Sequence, residues 1–120
     1  MNDFVAGDLK ISTNGGRPDA IELSWLGKSA DRHPGKVLTP YFQTALAEAA
    51  DRRVPIEMHF EKLEHFNSST ITAIIQLIQD ARHKQVTLVM IYDQALKWQK
   101  LSFDALRVFA KDNLLDLRSI

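Results

Sequence analysis

The chain of 120 residues contains no cysteine. Disulfides, thiolate nucleophiles and thiolate-bound metals are thereby excluded, and the absence fits a reducing compartment such as the cytosol. Net charge is also missing, because 15 basic and 15 acidic residues cancel. Nothing in that balance asks for nucleic acid or an anionic membrane as a partner. No apolar run reaches the length of a membrane span. The opening MNDFVAGDLK carries an acidic residue and no long apolar core, so it does not read as a signal peptide. Internal repeats, low-complexity segments and a second-domain boundary are absent as well. The expectation is one domain over residues 1–120, with a core from about 8 to 113, and a size that buries about two-thirds of the unfolded surface.

What is present alternates between strand and helix patterns. Asp8 to Thr13 and Ala20 to Leu26 read as two strands joined by Asn14-Gly15-Gly16-Arg17-Pro18, whose turn chemistry predicts an N-terminal hairpin. In the second strand Ile21, Leu23 and Trp25 share one face. The polar stretch Gly27 to Lys36 holds Lys28, Arg32, His33 and Lys36, and reads either as a solvated connector or as a basic contact surface. Thr39 with Pro40 predicts a helix start, with Phe42, Ala45, Leu46, Ala49 and Ala50 as its inner face and an end near Arg53. Ile56, Met58 and Phe60 alternate with Glu57 and His59, as in a strand with one buried face.

Asn67, Ser68 and Ser69 then offer short side-chain oxygens of the kind that cap a helix N-terminus. Behind them Ile71, Ile74, Ile75, Ile78 and Ala81 recur at helical spacing, up to His83 and Lys84. Val86 to Ile91 is apolar on both faces apart from Thr87, which suits the middle of a covered sheet. Asp93 to Leu101 reads as a short helix or a loop, and Ser102 with Asp104 as the start of a last helix facing Phe103, Leu106, Phe109 and Ala110 inward. Leu114 to Leu117 is an edge strand or coil. The order predicts an α/β fold with a mixed, mostly parallel sheet, an N-terminal hairpin and three to four covering helices.

The serines invite two readings: caps and nothing more, or a hydroxyl cluster placed for function at the positive end of a helix dipole. The run Asn67-Ser68-Ser69-Thr70, after a strand and before an Ile-rich helix, resembles the Asp-Ser-Ser-Gly signature of STAS domains, the family of anti-sigma factor antagonists and sulfate-transporter tails. The element order from about Asp8 to Asn113 is similar to that family too. Asn67 stands where the family has an acidic residue, and Thr70 where it has glycine. The resemblance implies a single STAS-like domain acting as a bacterial, cytoplasmic regulator of transcription. It further implies phosphorylation at Ser69, with Ser68 and Thr70 as lesser candidates. The partners implied are a serine kinase or anti-sigma factor, docking on Phe66, Asn67, Ser68, Ser69, Thr70 and Ile71, and a cognate serine phosphatase. Two alternatives stay open: a STAS-like module that binds a small anion or nucleotide, for which Arg32, Lys36 or Lys62 would have to fold over the serines, and a passive subunit whose serines only cap.

Other chemistries find little support. His33, His59, His65 and His83 show no close metal spacing and no HExxH pattern, and they read as surface residues. His65 beside Glu64 and the serines lacks a GxSxG elbow. Gly15-Gly16 is too short for a phosphate loop, and Trp98 reads as a partly buried packing residue. No catalytic residue, metal or cofactor is expected, and no membrane or nucleic-acid partner.

Overall fold

Period-two alternation gives this chain strands with one oily face, and the computed structural model, which describes residues 1–120, assembles them into one seven-stranded sheet. Strands β1 (Phe4–Ala6), β2 (Leu9–Asn14) and β3 (Ile21–Ser29) form an antiparallel meander. Helix α1 (Gly35–Arg52) returns the chain to β4 (Ile56–His59), which lies parallel to the first half of β3. The short β5 (Leu63–Phe66) pairs in parallel with the second half of β3, with a register shift at Gly27/Lys28. Helix α2 (Ser68–His83) leads to β6 (Leu88–Tyr92) beside β4. Helix α3 (Lys97–Leu106), with a 3-10 turn at Arg107–Phe109, leads to the edge strand β7 (Leu115–Ser119) beside β6. The mixed sheet, the N-terminal hairpin and the covering helices agree with the predicted fold class.

The parallel steps from β3 to β4, from β5 past β4 to β6, and from β6 to β7 all advance in one direction. Right-handed crossovers therefore lay all three helices on the same face of the sheet. The burial pattern agrees. Leu9, Ile11, Ile21, Leu23, Trp25, Ile56, Met58, Leu88, Met90 and Tyr92 from the strands join Leu38, Phe42, Leu46, Ile74, Leu77 and Phe103 from the helices in one core cluster of 27 buried residues. Trp25, Phe60, Phe66, Phe103 and Tyr92 run through it as an aromatic chain with successive ring centroids 4.9, 6.2, 6.1 and 4.7 Å apart. The opposite face carries no helix. Across it runs the row Asn14, Glu22, Glu57, Val89 and Asp116, each paired with the next.

Several expectations are corrected. Helix α1 begins at Gly35 after Pro34, and not at Thr39. Leu38, fully buried, adds a turn to the apolar stripe of Phe42, Ala45, Leu46 and Ala49, and that burial outweighs the one backbone bond lost at Pro40 inside the helix. Ala50 is exposed. Helix α3 starts at Lys97, so Ser102 and Asp104 lie within it; Phe103 and Leu106 are buried, while Ala110 is exposed. Ile71 and Ile75 are only half-buried, and Thr70, Ala73 and Leu77 fill the α2 inner face with Ile74, Ile78 and Ala81. Strands β1 and β5 were not expected at all, and β3 runs on to Ser29 through what reads as connector. No helix is long and apolar enough to cross a membrane.

Candidate functional site

In a sheet with parallel strands, the carboxyl ends of the strands and the following helix N-termini form the natural crevice for ligands. Here β3 ends at Ser29, β5 ends at Phe66, and α1 and α2 open immediately beyond. Asn67 is the N-cap of α2: its Oδ1 accepts from the Thr70 N–H at 2.9 Å and from the Thr70 hydroxyl at 2.7 Å. Its Nδ2 donates to the Asp31 carbonyl at 2.7 Å, and its own N–H donates to the Ser29 carbonyl at 3.0 Å. Ser29 Oγ and Thr70 Oγ1 are 2.7 Å apart and buried. Since Thr70 has one hydroxyl proton and gives it to Asn67, Ser29 is the donor in that pair. A chain Ser29 to Thr70 to Asn67 thus locks the end of β3, the cap of α2 and the loop at Asp31 together.

The residues singled out from sequence separate accordingly. Phe66 is 4% exposed and packs edge-on against Trp98 at 5.1 Å, and Thr70 is wholly buried. Neither presents a surface to a partner. The Thr70 hydroxyl is closed to a kinase in this arrangement. Ser68 is exposed, Ser69 and Ile71 are half-buried, and the two serine hydroxyls stand outside the Ser29–Thr70–Asn67 network.

Ser69 instead faces an open cleft of about 440 Å³ between α1 and α2, lined by Arg32, His33, Lys36, Thr39, Thr72 and Gln76. Neither helix has an acidic residue in its first turn. Two positive helix ends and three basic side chains therefore line the cleft that holds Ser69, in a protein with no net charge. Of the three cations named from sequence as candidates to fold over the serines, Arg32 and Lys36 line this cleft. Lys62 does not; it lies by Glu61 and His59 on the helix-free face.

On that face, strand pairing assembles a cluster that sequence reading missed. Glu22 is in register with Glu57, and His59 follows on the same side of β4. His59 Nε2 is 2.6 Å from Glu57, and its Nδ1 is 3.1 Å from Glu61. Burial pushes the Glu57 carboxyl up, but hydrogen bonds from His59 and Arg17 outweigh that and hold it below its usual range. His59 is thus half-buried among carboxylates, whereas His33, His65 and His83 are exposed. The only sequence signal was the period-two spacing of Glu57 and His59; the pairing with Glu22 is tertiary. Trp98 is half-buried, packed between His65 and Phe66.

A scan of protein-family models finds no match to this chain, and a search of curated proteins finds none.

Proposed function

We propose that the protein is a STAS-type regulator that works by binding a partner protein and is switched by phosphorylation at Ser69. The observation that carries the reading is the placement of Ser69, half-exposed at the N-terminus of α2, outside the buried hydroxyl chain, and in the cleft with Arg32, His33 and Lys36. A phosphoryl group there adds nearly two negative charges to a helix N-terminus, an arrangement that is favourable by up to about 2 kcal/mol. Arg32 and Lys36 are at hand to pair with it. The fold therefore tolerates the modification. A partner lying over the same cleft, by contrast, would have to strip water from a dianion, at a cost of several kcal/mol. A loss of about 4 kcal/mol is nearly a thousandfold in dissociation constant, so affinity for the partner is the quantity that switches. The expected partner is a serine kinase of anti-sigma type, with a serine phosphatase to reverse the mark.

Fragment mass spectrometry of the protein isolated from its own cells under several growth conditions tests this. A condition-dependent phosphoryl group on Ser69 that vanishes in Ser69→Ala is expected. A protein that is never modified while its partner is active overturns the switch.

The basic lining also favours a second reading, a small phosphorylated ligand in the same cleft. Thermal shift with inorganic phosphate and a nucleotide panel separates the two. A ligand that stabilises the wild type and loses its effect in Arg32→Ala supports the second reading.

A further inference from the structure

The helix-free face of the sheet holds a second site whose chemistry differs from that of the serine cleft. Glu22 and Glu57 sit side by side on parallel strands, and His59 shares their face. One ligand atom from each lies within 4.8 Å of the other two. His59 Nε2 is 2.6 Å from one oxygen of Glu57 and 3.4 Å from one oxygen of Glu22. The three side chains are only 18–20% exposed, and Glu22 and His59 line a cavity of about 350 Å³ with Ser24, Glu61 and Lys62.

Three further observations bear on what belongs there. The first is a cation already drawn to the spot: an Arg17 guanidinium nitrogen lies 3.0 Å from Glu57 and 3.6 Å from Glu22, while two bonds of 3.1 Å tie Arg17 to Asp19. The second is Glu61, which holds His59 Nδ1 at 3.1 Å. A carboxylate on the far nitrogen is the usual outer support of a metal-bound imidazole, because it fixes the tautomer that leaves Nε2 free to ligate. The third is the other oxygen of Glu61, which is buried with no hydrogen-bond partner. A buried carboxylate oxygen without a donor is costly unless positive charge is nearby. The Arg17 guanidinium, the Lys62 ammonium and the His59 ring are outnumbered by the carboxylates of Asp19, Glu22, Glu57 and Glu61.

We infer that Glu22, Glu57 and His59 bind a first-row divalent cation, with Zn²⁺ as the best-matched probe. One imidazole nitrogen and two carboxylate oxygens suit zinc, cobalt or manganese, whereas magnesium and calcium favour all-oxygen sets. For bonds of about 2.1 Å, tetrahedral ligand atoms stand roughly 3.4 Å apart. The His59–Glu22 spacing already meets that value, and Glu57 has to open from its contact with Nε2. The ion takes the bridging place of Arg17, which keeps its two bonds to Asp19. Three protein ligands leave a position for water or an incoming group. The ion pins β3 to β4 on the face that no helix covers.

The test uses the full chain after EDTA treatment and desalting, titrated with ZnCl₂ by calorimetry and by thermal shift. One saturable site per chain and a raised melting temperature are expected. Co²⁺ should give visible absorption bands from inner-sphere nitrogen and oxygen ligands. His59→Ala and Glu22→Gln should each abolish the site, Glu61→Gln should weaken it about tenfold, and His83→Ala should leave it intact. His59→Gln replaces His59→Ala if circular dichroism shows the latter unfolded. Absence of zinc binding at millimolar concentration, or equal binding by wild type, His59→Ala and Glu22→Gln, overturns the proposal and leaves the cluster as an ion-pair network centred on Arg17.

Discussion

Ser29 and Thr70 are 41 residues apart in the chain, and their hydroxyls lie 2.7 Å apart in the interior. The pair joins the end of β3 to the first turn of α2 and so sets where Ser69 stands. Thr70→Val keeps the shape, removes the donor to Asn67 and leaves Ser29 without its buried acceptor. Urea unfolding should show a loss of about 1–3 kcal/mol. Ser29→Ala combined with Thr70→Val should cost less than the sum of the single changes, since each single change orphans the other's partner.

Gln99 is wholly buried and makes three backbone contacts. Its amide nitrogen donates to the carbonyls of Phe60 and Leu63 at 2.6 and 3.2 Å, and its oxygen accepts from the Asp93 N–H at 2.8 Å. Gln99→Leu removes all three bonds; the Phe60 carbonyl keeps the Leu63 N–H at 2.9 Å, and the Asp93 N–H loses its acceptor. Thermal unfolding should report a loss of about 2–4 kcal/mol. An unchanged melting temperature would mean that water reaches the crossing between β4 and β5.

Two left-handed glycines should respond unequally to alanine. At Gly27, with φ +84°, a Cβ would fall 2.0 Å from the Asp8 carbonyl oxygen, whereas at Gly7, with φ +58°, nothing lies within 4 Å. Gly7→Ala meets only the conformational cost, roughly 1 kcal/mol. Gly27→Ala adds a backbone collision and should cost about 3 kcal/mol or more. Chemical denaturation of the two variants side by side checks the ordering.

Arg82 on α2 donates to Asp112 at 2.9 Å and to the Phe109 carbonyl at 2.6 Å, clamping α2 to the segment after α3. The bond from Arg82 holds the Asp112 carboxyl below its ordinary value of 3.8. A carboxylate with a depressed pKa in the folded state stabilises the fold above the unfolded value. That contribution is lost as pH falls below 3.8 through the lower folded value. Asp112→Asn should therefore flatten the acid limb of a stability–pH curve and leave the limb above neutrality unchanged. The effect should be small and salt-sensitive, because the pair is exposed.

The order of elements was legible because apolar periodicity is local: Ile21, Leu23 and Trp25 alternate, and Ile74, Ile78 and Ala81 recur at helical spacing. The cap was legible for the same reason, since Asn67 reaches only three residues to Thr70. The start of helix α1 is hidden because Thr39-Pro40 imitates a helix start, while the decisive burial of Leu38 is tertiary. Strand β5 escaped because LEHF buries its two ends and exposes its middle pair, a pattern without period two. The basic cleft and the Glu22–Glu57–His59 cluster each join segments more than 30 residues apart in the chain. Residue types were visible there, and their convergence was not. Thr70 reads in sequence as a candidate hydroxyl, and its buried contact with Ser29 is what the sequence does not display.

From β1 through β4 and on to β7, strand order across the sheet follows order along the chain, with β5 alone set aside against β3. Each new strand therefore docks on an edge laid down earlier, and no strand must be inserted between two already paired. A chain emerging from the ribosome can add them one at a time, the N-terminal meander serving as template. Folding should be brisk for a sheet with parallel pairs, since most loops to be closed span a single crossover. Strand β7, the last to be made, completes the edge; until it pairs, the far side of β6 is open, and that half-built sheet is the species most exposed to misassociation.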